Sequence, residues 1–457
     1  MIQRDNSSMF RRAQEWRRML LVVSALVLVK PGLCFSQSEG GGTRLTLDES
    51  IRIALENNPG VETAERGRRA AQERIPQAKA QFGPDIDIIA SHTLQGPTIS
   101  FPTGLGTSTT IVPDSRNDYI LQLSQTLYAG DSIPASRRAA RLGAGVAADT
   151  LEDVRQDVVL RSKVAYFSVL RAEALRVVVA EALELAREHL RVANAHFDAG
   201  TVPKFDVLRS EVEVAQAEEF LVQADNAISL AGASFNSALG RPVDSPVALE
   251  AVDASGLRTP SLEESLDLAM QQRPELRVAE KSVTIAKESV TIEKAGRRPA
   301  VTLGAQYHRQ TATGFSEDYF WNVALSLMLP VFDRGLAKSR VRESREIVAQ
   351  NRSMGEQVRQ AVALEVQQTL LNTREAVKRI ETTKKSVAAA EESLRIADLR
   401  YQEGIGTQLE ATDARVALTR ARVSYTQALY DYHAAYAVWE NAVGNALVSD
   451  SVVRIER

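Results

Sequence analysis

The sequence predicts a mostly α-helical chain with a minor β component, built from one unit used twice and closing a β-barrel only as a trimer. Three observations predict it. Residues 131–198 hold apolar and small side chains at alternating steps of three and four, with no proline after Pro134. A stretch of the same kind fills 334–401. Before each lie two segments whose apolar residues fall at every second position. Three-four spacing makes a helical stripe, and about 68 residues of it make roughly 100 Å of helix that must pack as a coiled coil. Period two makes a strand with one apolar face.

The long helix carries two stripes. One runs through Leu151, Val154, Val158, Arg161, Ala165, Ser168, Ala172, Leu175, Val179, Ala182 and Ala186, and the other through Val159, Ser162, Tyr166, Val169, Ala180 and Leu183. Adjacent stripes mean a neighbour on each side, as in a closed ring of helices. The duplication is legible in fixed offsets. Phe197 and Gly200 match Tyr401 and Gly404 at 204 positions, as Ala238 and Gly240 match Ala442 and Gly444. Pro59 and Pro84 match Pro274 and Pro299 at 215 positions, so the first copy holds 11 extra residues between its strands. Repeated self-similarity means that one supersecondary unit is used twice.

In chain order, residues 1–36 read as a secretory signal: Arg11, Arg12, Arg17 and Arg18 precede an apolar run at 19–29 that is too short to span a bilayer. Cys34, the only cysteine, is expected to leave with the signal, and its lipidation is the alternative reading. Residues 37–84 form paired helices, capped by Thr46 and broken at Pro59. Residues 85–128 form a first β-hairpin, with strands at 85–94 and 119–128 and a Gly, Pro, Thr and Ser-rich loop over 95–117. Residues 129–240 hold the long helix, a tip turn and a return helix. A linker at 241–260 leads to the second copy: helices over 261–299 with a break at Pro274, a hairpin over 300–330 with strands at 300–309 and 319–329, and long helix, tip and return helix over 331–444. Residues 445–457 form a tail.

The strands are about ten residues long, the length that crosses a bilayer when tilted, and Tyr119, Tyr128, Tyr307, Tyr319 and Trp321 sit at their ends as an interfacial girdle would. Four strands cannot close a barrel, and open edges in lipid cost several kcal/mol per unpaired group. Three chains supply twelve strands and twelve helices side by side.

Composition excludes other classes. A net charge of −3 with no basic face argues against nucleic acid. No phosphate loop, nucleophile elbow or paired catalytic carboxylates occur, so neither enzyme nor cofactor is expected. His189 and His196 share a helix face seven residues apart, but stripe positions explain them better than a metal site, which needs more ligands. A periplasmic coiled-coil protein without a pore is the rival reading. It leaves the strands and the duplication unexplained.

Thr46 through Ser50 with the Asn58-Pro59 break, the Gly-Pro pair at Gly83, the exits at Leu127 to Gly130 and Val331 to Gly335, and Arg400 to Gly404 together resemble the TolC-like outer-membrane efflux family. The resemblance covers nearly all of the mature chain. It implies a trimeric channel-tunnel, a β-barrel set in outer-membrane lipid and continued by a periplasmic α-helical barrel. Such a duct serves tripartite efflux or type I secretion with a periplasmic adaptor and an inner-membrane pump of RND, ABC or MFS type. On that footing the tips, with Gly200 and Thr201 in one copy and Gly404, Ile405, Gly406 and Thr407 in the other, are the expected adaptor-docking end. Glu410 and Asp413 match the acids of the family's periplasmic aperture. Asp206, three residues from Arg209, is their first-copy companion, partly neutralised by that arginine.

Overall fold

The computed structural model describes residues 44–104, 106–252, 257, 259–311 and 317–445. The signal segment with Cys34 and most of the tail lie outside them.

Each half begins with two short helices meeting at a proline: α1 (Leu47–Asn57) and α2 (Pro59–Ala80), then α5 (Leu262–Gln272) and α6 (Pro274–Ala295). Proline is tolerated there because the first turn of a helix has no use for its missing N–H. Thr46 closes a capping box with Glu49, and Ser261 accepts from the Glu264 amide, so the two copies start alike. The strands are β1 (Asp85–Leu94), β2 (Ile99–Gly104), β3 (Thr107–Val112), β4 (Ser115–Ala129), β5 (Ala300–Gln310) and β6 (Tyr319–Met328). Each long helix, α3 (Ser132–Asp198) and α7 (Leu336–Gln402), has 67 residues, and each return helix, α4 (Lys204–Ala238) and α8 (Gln408–Ala442), has 35.

The hairpins of both halves merge into one antiparallel sheet of order β1-β4-β5-β6. Its register sets Ile88 opposite Leu121, Leu121 opposite Tyr307, and Leu303 opposite Leu325. Alternation then places Ile86, Ile88, Leu121, Leu123, Leu303, Val323 and Leu325 on one continuous apolar face, and Gln122, Gln306, Asn322 and Ser326 on the other. On the polar face Asp118 accepts from Arg116 (2.8 Å) and pairs with His308 (2.9 Å). Tyr307 stacks on Tyr319 at 6.2 Å, and Trp321 is 69% exposed, as an aromatic girdle requires.

The 95–117 segment departs from its reading as a loop. It contains the separate hairpin β2–β3, and β4 runs 15 residues, starting before the expected 119. Serine, threonine, glycine and proline mark loops by composition, yet threonine is also a strong strand former, and backbone pairing decides here.

Helix α3 is the hub, packing against α1, α2, α4, α6 and α8. Its stripes are filled by Leu151, Val158, Val159, Tyr166, Val169 and Leu183, all buried, whereas Arg161 turns outward to Asp157 (2.7 Å). The largest core gathers Tyr166, Phe167, Phe235 and Leu239 with Ala54 and Val61. The Tyr166 hydroxyl lies 3.0 Å and 2.7 Å from the carbonyl oxygens of Leu45 and Glu250, tying the chain entry to the inter-repeat segment. The second copy answers with Trp439, whose indole N–H donates to the buried Ser265 Oγ at 3.1 Å. Gly240 and Gly444 end the return helices at positive φ, where a Cβ would strike Asn57 and Gln272 beside the proline breaks. Among the described residues, no helix is long and apolar enough to cross a membrane.

Candidate functional site

The two tips share one turn. After α3, the Gly200 amide donates to the Phe197 carbonyl (2.9 Å) and the Thr201 amide to His196 (3.0 Å); after α7, Gly404 donates to Tyr401 (3.1 Å) and Ile405 to Arg400 (3.0 Å). This paired closure needs a left-handed residue, and Gly200 (φ 73°) and Gly404 (φ 71°) supply it.

Beyond that the tips diverge. The Gly406 amide donates a second bond to the Arg400 carbonyl (2.8 Å), and a Cβ at 406 would stand 2.9–3.0 Å from Arg400 and Tyr401 atoms. Val202 holds the matching place in the first copy, so that tighter wrap is closed to it. Thr407 caps α8 by accepting from the Glu410 amide (3.2 Å), whereas Pro203 opens α4 with no side-chain cap. Ile405 is 72% exposed at the end of the second tip.

The acids take separate positions. Glu410 turns toward Arg400, with Oε2 3.6 Å from Nε, and both remain about half exposed. Asp413 lies exposed one turn further along α8. Asp206 is partly buried, and among the described residues no ion pair joins it to Arg209, so the expected neutralisation is not made by direct contact. Instead the Asp206 backbone carbonyl accepts from Gln408 Nε2 (2.7 Å), which also reaches Ser210 Oγ (3.0 Å), and Thr412 Oγ1 donates to Glu213 (2.8 Å). The starts of the two return helices are thereby joined. Sequence reading missed this link, because nothing in a helical pattern says that Gln408 faces the other repeat.

A second missed feature lies just above the tips. His189, Tyr401 and Arg415 are all buried, and the rings of His189 and His196 stand 5.1 Å and 5.6 Å from that of Tyr401. Arg415 Nη1 donates to Asp398 (3.0 Å). Arg415 Nε and Nη2, the Tyr401 hydroxyl and His189 Nε2 are enclosed with no hydrogen-bond partner. Burial, seconded by the Arg415 charge, pulls His189 down to about 4, while burial pushes Asp398 and Tyr401 up against the pull of Arg415. A signal for Arg415 was available: it interrupts the small and apolar stripe of Ala411, Ala414 and Leu418. Among the described residues, no group of three or more His, Cys, Asp or Glu could hold a metal; the two histidines flank a tyrosine ring.

A duplicated hairpin and long-helix unit that leaves a four-stranded sheet open at both edges defines an outer-membrane channel that is finished by trimerisation. The outer membrane efflux protein family matches residues 50–241 and 265–445, and the chain belongs to that family. It is 22% identical over 410 residues to nodulation protein T of Rhizobium leguminosarum bv. trifolii, covering 87% of this chain and 85% of that one. It is 23% identical over 427 residues to outer membrane protein TolC of Vibrio cholerae, covering 88% and 92%. Among solved structures, CusC superposes with a TM-score of 0.77 at 17% identity, covering 92% of this chain and 98% of the other. The open-state MtrE channel of Neisseria gonorrhoeae gives 0.73 at 21% identity, covering 88% and 89%.

Proposed function

We propose that this chain is the passive exit duct of a tripartite efflux or type I secretion system, docked at its tips by a periplasmic adaptor and driven by an inner-membrane pump of RND, ABC or MFS type. The observation that carries the reading is the pairing of a sheet, apolar on one face and polar on the other, with 67-residue helices ending in exposed turns. Three sheets joined edge to edge enclose a polar lumen, and helices roughly 100 Å long at about 1.5 Å per residue carry it away from the membrane. Nothing in this reading makes or breaks a covalent bond in the cargo.

Gly200, Thr201, Gly404, Ile405, Gly406 and Thr407 form the adaptor-docking end in this reading, and the exposure of all but the half-buried Gly406 supports it. Glu410 and Asp413 from three chains place six carboxylates at the aperture, with Asp206 beside them. Rings of carboxylates select cations and are blocked by polyvalent ones. Single-channel recording in planar bilayers tests this. Block by periplasmic di- or trivalent cations is expected in the native trimer and is lost in Glu410→Ala/Asp413→Ala. Unchanged block and selectivity in the double variant would reduce the two acids to helix-start residues favoured by the dipole.

A further inference from the structure

Four polar atoms are shut in between α3, α7 and α8 with no partner: His189 Nε2, the Tyr401 hydroxyl, and Arg415 Nε and Nη2. They lack accessible surface, so neither water nor an ion reaches them while the helices stay packed. Separation of α3 from α7 and α8 hydrates all four at once, and a buried group without a partner costs its full desolvation. This is the layer at which the packed arrangement has most to gain by parting. The duplication does not repeat it: Ser393 of the second copy and Phe197 and Glu211 of the first occupy the places matching His189, Tyr401 and Arg415 at the 204-residue offset.

We propose that the His189–Tyr401–Arg415 layer is an acid-sensitive release, holding α3 against α7 and α8 at neutral pH and letting them part when His189 gains a proton. The inference rests on reading the tips as the channel aperture. A protonated His189 would put a second cation beside Arg415, whose ion-pair partner is the half-buried Asp398. The facing groups are Tyr401 and Asp398 on α7, Arg415 on α8, Glu213 on α4, whose charge acts on Arg415, and His196 on α3 across the Tyr401 ring.

His189 is held at about 4 in the packed layer against its ordinary 6.5, by burial first and Arg415 second. Its contribution to packing is therefore full above 6.5 and is lost as the pH falls toward 4. Asp398 acts with the opposite sign, since burial raises its carboxyl and acid then favours packing; its window opens lower, starting from the ordinary 3.8. Taken alone, His189 raises the ratio of separated to packed layers about 20-fold between pH 7 and pH 5, and Asp398 works against that rise.

The test takes full-length trimer in planar bilayers from pH 7 to pH 5 on the periplasmic side. In parallel, maleimide labelling of Ala397→Cys, buried in the same region, is read against the exposed Ser393→Cys. Open probability and relative labelling are expected to rise together, by at most about 20-fold. The rise persists in Glu410→Ala/Asp413→Ala and vanishes in both His189→Gln and His189→Leu. An acid response that survives both His189 variants, or labelling that stays flat, overturns the proposal. Labelling that rises with acid while current does not upholds the release and overturns the aperture reading.

Discussion

The first-copy tip and the second-copy tip start from the same turn and finish differently. Gly200 and Gly404 adopt the same left-handed conformation and receive the same pair of closing bonds, because a long helix that reverses at once has few other ways to satisfy its last carbonyls. Gly240 and Gly444 likewise persist where side chains would strike the opposite backbone. Val202 and Gly406, Pro203 and Thr407, and Arg209 and Asp413 have parted company. Where backbone geometry dictates the residue, the copies agree. Where the side chain meets solvent or another helix, they have been free to specialise, and the second copy has gathered the tight wrap, the cap and both exposed acids.

The comparison can be broken first in the sheet, where the copies should still be equivalent. Leu121 and Leu325 hold matching places on the apolar face. Replacing either with arginine is expected to cost ~2–4 kcal/mol and to lower the yield of membrane-inserted, detergent-resistant trimer equally, while Asn322→Arg on the other face is tolerated. Unequal losses at 121 and 325 would end the equivalence.

At the tips the copies should respond unequally. Gly406→Val forces a side chain against Arg400 and is expected to cost about 1–3 kcal/mol locally, abolishing export while trimer stays in the membrane. Val202→Gly, the reverse change in the other copy, is expected to leave export intact. Gly404→Val, strained by its positive φ, should act like Gly406→Val; an export-competent variant would remove the docking role of that tip.

Smaller effects sharpen the picture. Gln408→Ala deletes two of the three bonds that join the return helices, a loss of about 1–2 kcal/mol, and should raise resting conductance in bilayers. Arg400→Ala removes only an exposed ion pair at 3.6 Å, worth less than about 1 kcal/mol. It leaves stability nearly unchanged while strengthening block by divalent cations, because Glu410 is freed.

The fold was legible where one periodicity ruled a long stretch. Period three-four over 67 residues and period two in the membrane strands leave little to decide, and fixed offsets then double the information. The β2–β3 hairpin was hidden because its serines and threonines read equally as loop. At the site, the glycine turns and the acids were visible as local motifs. The Gln408 link and the His189–Tyr401–Arg415 layer were not, because each joins residues about two hundred positions apart, and helical spacing gives the face of a residue without naming the helix opposite it.

The unequal tips have a consequence for stoichiometry. Three chains with two similar halves present six tips around the axis, nearly sixfold in backbone but threefold in side chains, as Val202 and Gly406 alternate. A partner ring of three subunits can meet the same kind of tip at every contact and read its side chains. A ring of six must accept both kinds in turn, so any one binding surface repeated around it can recognise only what the tips have in common: the backbone turn closed at a left-handed glycine.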